Sequence, residues 1–414
     1  MESATLDLLR CPYCGGRLEL VTSLYLRREG DEIWDGILGC HCCIFPIVSG
    51  IPILHLQQAA TEARDEIQAG RPDAARRIML GLREEPRATA FESAASRGAT
   101  YRELVETLGP DFEGGYFLYR FSDPTYVVAD AVVRAVAGAA LRHGGRAIDL
   151  CGGSGHLTRS LLGLSQPAPV LADLYFAKVW LAKRFTAPAC EPVCCDLNAP
   201  LPFSRGAFRL SICSDAFQYI WTKRMAVSEM TRLVEDGSSE GAVLISHTHN
   251  QRQWSPSHGQ PLPPEGYRDL FESLPVRVFG EAALLADVVK GGPLDLSRRE
   301  ADQTLDLDPA LTIVATRRPD IFVAHALEPE APPRGRLRLN PLYEREDGGE
   351  QVRLRLRFPS ADYEDEYGAC RLYLPETVVL DLRDLAEIEA GRLPISLTDL
   401  RRRRVVLDLP ERYA

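Results

Sequence analysis

Cysteine and histidine are the residues of this chain whose spacing could do chemistry. Cys11 and Cys14 form one C-x2-C pair and Cys40 and Cys43 a second, with 25 residues between the pairs. A pair at that spacing sits on a tight turn that aims two sulfurs to one side, so two pairs can close a tetrahedron of thiolates around zinc. Cys42 offers a second solution through a C-x-C pair with Cys40; knuckle spacing favours Cys43, with His41 pointing outward. Further on, "LISHTHN" sets His247 and His249 at the end of an apolar run, where strand alternation puts both on one face. Histidine takes a proton near neutral pH and can serve as a general base, with Asp215 or Tyr219 of "SDAFQYI" to orient it.

A substrate reaches such a base only if something binds beside it. "AIDLCGGSGHLTRSLL", residues 147–162, reads as a short strand, a glycine loop and the start of a helix, where the backbone can approach a ligand and helix N–H groups are open. A dinucleotide fingerprint beginning at Gly153 and Gly155 needs a third glycine at 158, and the chain has Thr158 there. The looser acidic-x-G-x-G-x-G cradle for S-adenosylmethionine (SAM) fits better, with Asp149, Cys151, Gly153 and Gly155 at its key positions and the small Cys151 in place of the first glycine. Asp173 follows Asp149 by 24 positions and closes the next strand, as a carboxylate for two ribose hydroxyls should. Asp196 closes a third strand, "CEPVCCDL", where it could accept from the adenine amino group while Leu197 covers the ring. Ser214 and Asp215 end a fourth strand and would border the sulfonium.

At these residues, and in the helix, turn and strand of "MAVSEMTRLVEDGSSEGAVLIS", the chain resembles the class I SAM-dependent methyltransferases over about residues 110–318. The resemblance implies SAM held across the carboxyl ends of the strands by Asp149, Gly153, Gly155, Asp173, Asp196 and Leu197. It also implies that "GGYFLYRFSDPTYVVADAVVRAV" closes over the cofactor, with Arg120 on the SAM carboxylate. Independently, "LLRCPYCGGRLEL" and "FPIVSGIPIL" resemble the small zinc-ribbon family that includes the activator subunit of tRNA and protein methyltransferases.

The elements that must position these residues follow from pattern. Residues 1–56 read as a zinc-ribbon module. Residues 57–109, rich in Ala, Glu and Arg, read as a cap of two or three helices broken near Pro72 and Pro86. From 110 to 320 strands alternate with helices ("RAIDL", "PVLADLY", "CEPVCCDL", "FRLSICSD", "GAVLISHTH", "ALTIVATRR"), which predicts an α/β domain of Rossmann type: a mostly parallel sheet with helices on both faces. The proline-rich "EPEAPPRGR" leads to a mainly β appendage, 330–414, with a hairpin around "DGGE". The run Arg401–Arg404 beside "VVLDLPER" reads as a solvated strand edge, and Cys190, Cys194, Cys195, Cys213 and Cys370 as small core residues.

Bulk properties narrow the function. The chain has 414 residues, 45% apolar, and a formal charge of −10, which argues against a general binder of nucleic acid or anionic membrane and leaves room for one local basic groove. Four basic against seven acidic residues in the first 60 make the ribbon a poor partner for phosphates. Eleven cysteines, with metal-type spacing and no leader or membrane-spanning run, point to the cytoplasm. The reading is a SAM-dependent methyltransferase with one structural zinc, acting on an oxygen or nitrogen of a small molecule, sugar or peptide. An RNA methyltransferase is the first alternative, because a ribbon ahead of a class I domain also resembles the ribosomal-RNA guanine methyltransferases. A scaffold that binds a protein partner or a second copy through ribbon and tail is the other.

Overall fold

The computed structural model of the protein describes residues 1–109, 115–235, 241–255, 259–327, 335–394 and 397–414. At the N-terminus β1 (Glu19–Leu20), β2 (Arg27–Glu29), β3 (Glu32–Gly39), β4 (Ile44–Val48) and β5 (Ile51–Pro52) form an antiparallel sheet in the order β1-β3-β4-β5, with β2 on β3. The helical cap is α1 (Gln58–Gln68), α2 (Pro72–Met79), α3 (Glu85–Ser96) and α4 (Tyr101–Leu108). Pro72 and Pro86 lie in the first turns of α2 and α3, where a missing N–H costs nothing. The breaks fall where the sequence places them; the fourth helix starts at a capping box between Thr100 and Glu103 that two or three helices did not anticipate.

The central sheet is seven-stranded: β6 (Ala147–Leu150), β7 (Val170–Asp173), β8 (Glu191–Cys194), β9 (Leu210–Ser214), β10 (Ala242–His249), β11 (Val276–Gly280) and β13 (Ala310–Thr316), ordered β11-β13-β10-β9-β6-β7-β8. Six strands point one way, five of them paired in parallel, and β13 alone of the seven runs antiparallel, between β10 and β11. Strand β11, "VRVFG", is the one the sequence reading passed over. Within β10, Val243 and Ile245 enter the core on one face, Ala242 and Leu244 that on the other, so the strand reads as a continuous apolar run rather than an alternation. Helix α5 (Pro124–Ala140), capped by Asp123 accepting from the Tyr126 N–H at 2.6 Å, covers β9 and β10 on the second face. Chain order reverses between β6 and β9, which opens a crevice at the carboxyl ends of those two strands.

The ribbon closes the far edge of this sheet. Ile53 bridges Cys194 in parallel and the Leu54 N–H donates to the Cys194 carbonyl at 2.7 Å, so the edge strand β8 is paired instead of exposed. Leu9, Leu18 and Phe45 of the ribbon share a core with Ile148, Val193 and Phe203. β12 (Leu294–Asp295) pairs with β14 (Ala324–His325), and beyond 335 come β15 (Arg336–Leu339), β16 (Tyr343–Gly348), β17 (Gln351–Leu356), β18 (Thr377–Asp381) and β19 (Val406–Leu409). β16 and β17 form the expected hairpin, while "RLRL" pairs with β19 at the end of the chain, and helices Ala361–Tyr367, Leu382–Glu389 and Thr398–Arg402 lie between strands. The arginine run is therefore a helix end and turn leading into β19, not a strand edge. The joint at 328–334 lies outside the described residues. Among those described, no helix is long and apolar enough to cross a membrane.

Candidate active site and thiol cluster

β3 and β4 are joined by a four-residue turn, 40–43, closed by the Cys40 N–H donating to the Cys43 carbonyl at 3.0 Å. The structure gathers Cys11, Cys14, Cys40 and Cys42, whose sulfurs all lie within 4.8 Å of one another, so Cys42 and not Cys43 stands as the fourth thiol. Sulfur separations of 3.6 Å (Cys11 to Cys42), 3.7 Å (Cys14 to Cys40) and 3.6 Å (Cys40 to Cys42) match the ~3.8 Å edge of a tetrahedron with Zn–S bonds of about 2.3 Å. Cys43 lies beside Cys42 at 3.3 Å but outside the cluster, and His41 is exposed. Burial pushes the Cys11 thiol up to about 11, opposed by the N–H groups of Tyr13 and Cys14. At Cys40 burial is outweighed by the N–H groups of Cys42 and Cys43, and the thiol titrates at about 7. The neighbouring thiols of Cys43 and Cys14 push Cys42 up, so of the shifted thiols in the cluster only Cys40 is lowered, and the cysteines carry no disulfide.

The loop after β6 is held by its own aspartates. Asp149 is buried, accepts from the Thr158 hydroxyl at 2.6 Å through one oxygen, and leaves the other, Oδ1, without a partner. Burial raises its carboxyl to about 7. Asp173 at the end of β7 accepts from the Gly153 N–H at 3.0 Å and the Tyr175 N–H at 2.8 Å, one on each oxygen, which leaves a lone pair on each for another donor. Gly153 adopts φ +54° and faces open space, whereas a Cβ on Gly155 would lie 2.9 Å from that of Ala182. One glycine makes a cradle and the other lets a helix approach. Cys151 takes φ +55°, a left-handed conformation that costs a non-glycine residue of the order of 1 kcal/mol or more and is kept where function requires it. An unpartnered buried acceptor, an open glycine and an acid closing β7 fit a ligand with hydroxyl and ammonium donors. Leu197 is buried in the adjoining core. Asp196 accepts from the Asn198 N–H at 2.8 Å and, with Tyr13, Leu54 and His55 of the ribbon, lines a cavity of about 220 Å³ at the seam between ribbon and sheet.

Beyond the loop lies a second polar group. Ser214 and Ser246, ending β9 and entering the last turn of β10, share a hydroxyl contact of 2.8 Å. After Ile245 the register of β10 on β13 slips and His247 adopts φ +48°. The two histidines therefore meet through a bulge, not through simple alternation, with ring centroids 5.6 Å apart and edge to face. Asp215, also left-handed at φ +52°, brings a carboxylate oxygen within 4.8 Å of ring nitrogens of both. Glu281, the first residue of the helix Glu281–Val289, accepts from His247 twice, from its backbone N–H at 2.8 Å and from its Nδ1 at 2.7 Å. Burial opposes a charge on His247, but Glu281 and then Asp215 outweigh it and raise the imidazole to about 9. His249, with Nδ1 at 2.9 Å from the Ser255 hydroxyl, is pushed below its ordinary value by burial and by His247. One ring thus holds its proton and its neighbour stays neutral.

Arg120 is buried and bound to Asp123 at 3.4 Å and Asp215 at 2.9 Å. The guanidinium is held between these two carboxylates, at the end of β9 and the start of α5. Asp123, Asp215 and Glu281 thus face Arg120 and His247, three acids against two cationic groups. Tyr219 is half-exposed on the turn Phe217–Tyr219, and His247 is oriented by Glu281 instead. Glu281 was missed, although an acid opening an apolar helix directly after "VRVFG" is a readable signal.

The fold and the site define a doubly wound α/β protein with a ligand crevice at its switch point and a four-thiol ribbon on its edge strand. Through its N-terminal part the chain belongs to the UPF0434 family: it is 35% identical over 65 residues to a UPF0434 protein of Mannheimia succiniciproducens, a match spanning 16% of this chain and 92% of that protein. No family model matches. Among solved structures the chain is similar to a putative methyltransferase of Bacillus halodurans (16% identity, 45% of this chain and 96% of that one, TM-score 0.30). It is also similar to a chain from the complex of the Haloferax volcanii Trm112 methyltransferase activator with a putative methyltransferase (18% identity, 47% and 90%, TM-score 0.33).

Proposed function

We propose that the protein is a SAM-dependent methyltransferase that methylates an oxygen or nitrogen of a small molecule, sugar or peptide. The observation that carries the reading is the pair of neighbouring histidines with opposed protonation, set at the strand ends beside a glycine loop tied to an acid that closes the next strand. Environments that drive two titrating groups apart mark acid and base roles. His249 is the base that takes the acceptor proton; His247, locked on Glu281, keeps its charge and positions the cluster. SAM, when bound, supplies an electrophilic methyl group, and Asp173 with the Gly153 cradle holds its ribose. In-line transfer then rests on alignment and exclusion of water. Zinc on Cys11, Cys14, Cys40 and Cys42 is structural, since four protein ligands leave no open position. The free thiols suit a reducing compartment such as the cytoplasm.

The test is a methyl-transfer screen with labelled SAM against metabolite and RNA fractions of the source organism. Label in a low-mass or peptide product supports the reading. Label in RNA selects the RNA methyltransferase, and SAM binding without transfer to any fraction selects the scaffold.

A further inference from the structure

Because Ile53 pairs in parallel with Cys194, the last residue of β8, the ribbon chain continues past the carboxyl end of the sheet. There His55 joins Asp196 and Pro200 in lining the seam cavity of about 220 Å³. Pro12 and Tyr13, the two residues between the gathered thiols of Cys11 and Cys14, line it as well, so one knuckle of the thiol cluster is a wall of the cavity. Tyr13 is fixed from two sides: its ring stacks on Phe45 with centroids 6.2 Å apart, and its phenol oxygen accepts from the Leu56 N–H at 3.2 Å. The side chain is nonetheless half-exposed. His55 is buried, and its Nδ1 accepts from the Gln57 N–H at 3.4 Å, which leaves the ring proton on Nε2, 3.6 Å from the Cys194 sulfur. Burial holds this ring neutral. The Cys194 thiol donates in turn to the carbonyl of Leu174, the residue directly after Asp173, at 3.1 Å. Asp196 spends one oxygen, Oδ1, on the backbone N–H and the side-chain amide of Asn198, at 2.8 Å and 3.2 Å. Among the described residues its Oδ2 has no hydrogen bond and the carboxylate no ion pair.

We infer that this cavity is the pocket for the adenine ring of the cofactor, and that the ribbon, through Tyr13 and His55, supplies a wall of the site that the α/β domain alone does not have. The inference rests on the cofactor reading above. Size points to part of a molecule, because about 220 Å³ falls below the roughly 300 Å³ at which pockets for whole ligands begin. Chemistry points to an amino group on a flat ring. A carboxylate oxygen accepts and cannot donate, so whatever meets Oδ2 of Asp196 must bring an N–H. The tyrosine ring, Pro12, Leu54 and Pro200 take the faces and edges of the ring, and neutral His55 brings no cation to compete for Asp196. Position agrees with this. β8 lies beside β7 in the sheet, and the run from Asp173 through Leu174 and Cys194 to His55 is bonded throughout, so the cavity sits one strand outward from the acid assigned to the ribose.

The probe is S-adenosylhomocysteine, titrated calorimetrically into the zinc-loaded full chain beside two analogues altered only at the amino group: the inosine form, which presents an oxygen there, and the N6-benzyl form, which adds bulk. The unaltered protein should bind the parent at least about tenfold more tightly than either, since one analogue sets an acceptor against Asp196 and the other runs into Tyr13. Tyr13→Ala, with zinc content retained, should improve binding of the N6-benzyl form relative to the parent by about tenfold. A variant that fails to fold cannot show that gain. Asp196→Ala should erase the preference over the inosine form, and Asp173→Ala should weaken all three compounds alike. Parent binding that depends on Asp173, together with equal binding of either analogue by the unaltered protein or an unchanged N6-benzyl ratio in Tyr13→Ala, overturns the ribbon's part and leaves the cofactor reading standing. No binding of the parent overturns both.

Discussion

The ribbon and the histidine cluster reach their chemistry by different routes. Four thiols meet because two short turns each carry a pair, so the ligand types and most of the geometry are encoded within a few residues of one another. The histidine cluster is assembled from Arg120, Asp123, Asp215, His247, His249 and Glu281, which only the finished sheet brings together. Local sites survive small errors in reading, whereas distributed sites hide their most important partner. That partner here is Glu281, which decides the protonation of His247 from 34 residues away in sequence.

Removing the ribbon's metal should produce the largest change. Structural zinc in small modules supplies on the order of 10 kcal/mol, and this ribbon seals the β8 edge and shares its core with the sheet. Metal analysis should give one zinc per chain, lost in Cys11→Ser and Cys42→Ser with a marked fall in melting temperature, and kept in Cys43→Ser. Zinc lost in Cys43→Ser but kept in Cys42→Ser would reverse the assignment of the fourth ligand.

The His247–Glu281 pair comes next. A histidine whose folded value is raised stabilises the fold fully below its unfolded value of about 6.5 and loses that contribution as pH rises through about 9. Stability should therefore fall by up to about 3 kcal/mol between those limits, from the size of the shift, and denaturant melts should show this slope disappearing in Glu281→Gln. A slope that persists in the variant removes Glu281 as its cause. His249→Ala should lower turnover by about 100-fold with SAM affinity hardly changed, measured with the acceptor that the screen identifies. Wild-type turnover would leave catalysis to alignment alone.

Much of this was legible in the sequence. Six strands of the central sheet, both proline-started helices and the C-terminal hairpin fall where apolar runs and turn residues put them. The glycine loop follows β6 and Asp173 ends β7, as the sequence places them, and the Gly153 N–H bond to Asp173 comes only with the structure. Three things were not legible, each for a physical reason. Cys42 stands in the cluster in place of Cys43 because two adjacent cysteines point their sulfurs in different directions, which C-x-x-C counting does not resolve. Arg120 pairs with Asp123 and Asp215 because burial makes a charge choose its nearest partners. The run at 401–404 folds inward because "RLRL" at 336–339 claims β19 as its partner and turns the preceding arginines toward α5.

The most direct test of the central claim is calorimetric titration of SAM into the zinc-loaded protein and its Asp173→Ala variant, with NADH as the competing ligand. The account predicts one SAM per chain, an affinity about 1 to 3 kcal/mol weaker in the variant because ribose hydroxyls lose their acceptor, and no comparable binding of NADH. Unchanged SAM affinity in Asp173→Ala, or NADH bound as tightly as SAM, would contradict it.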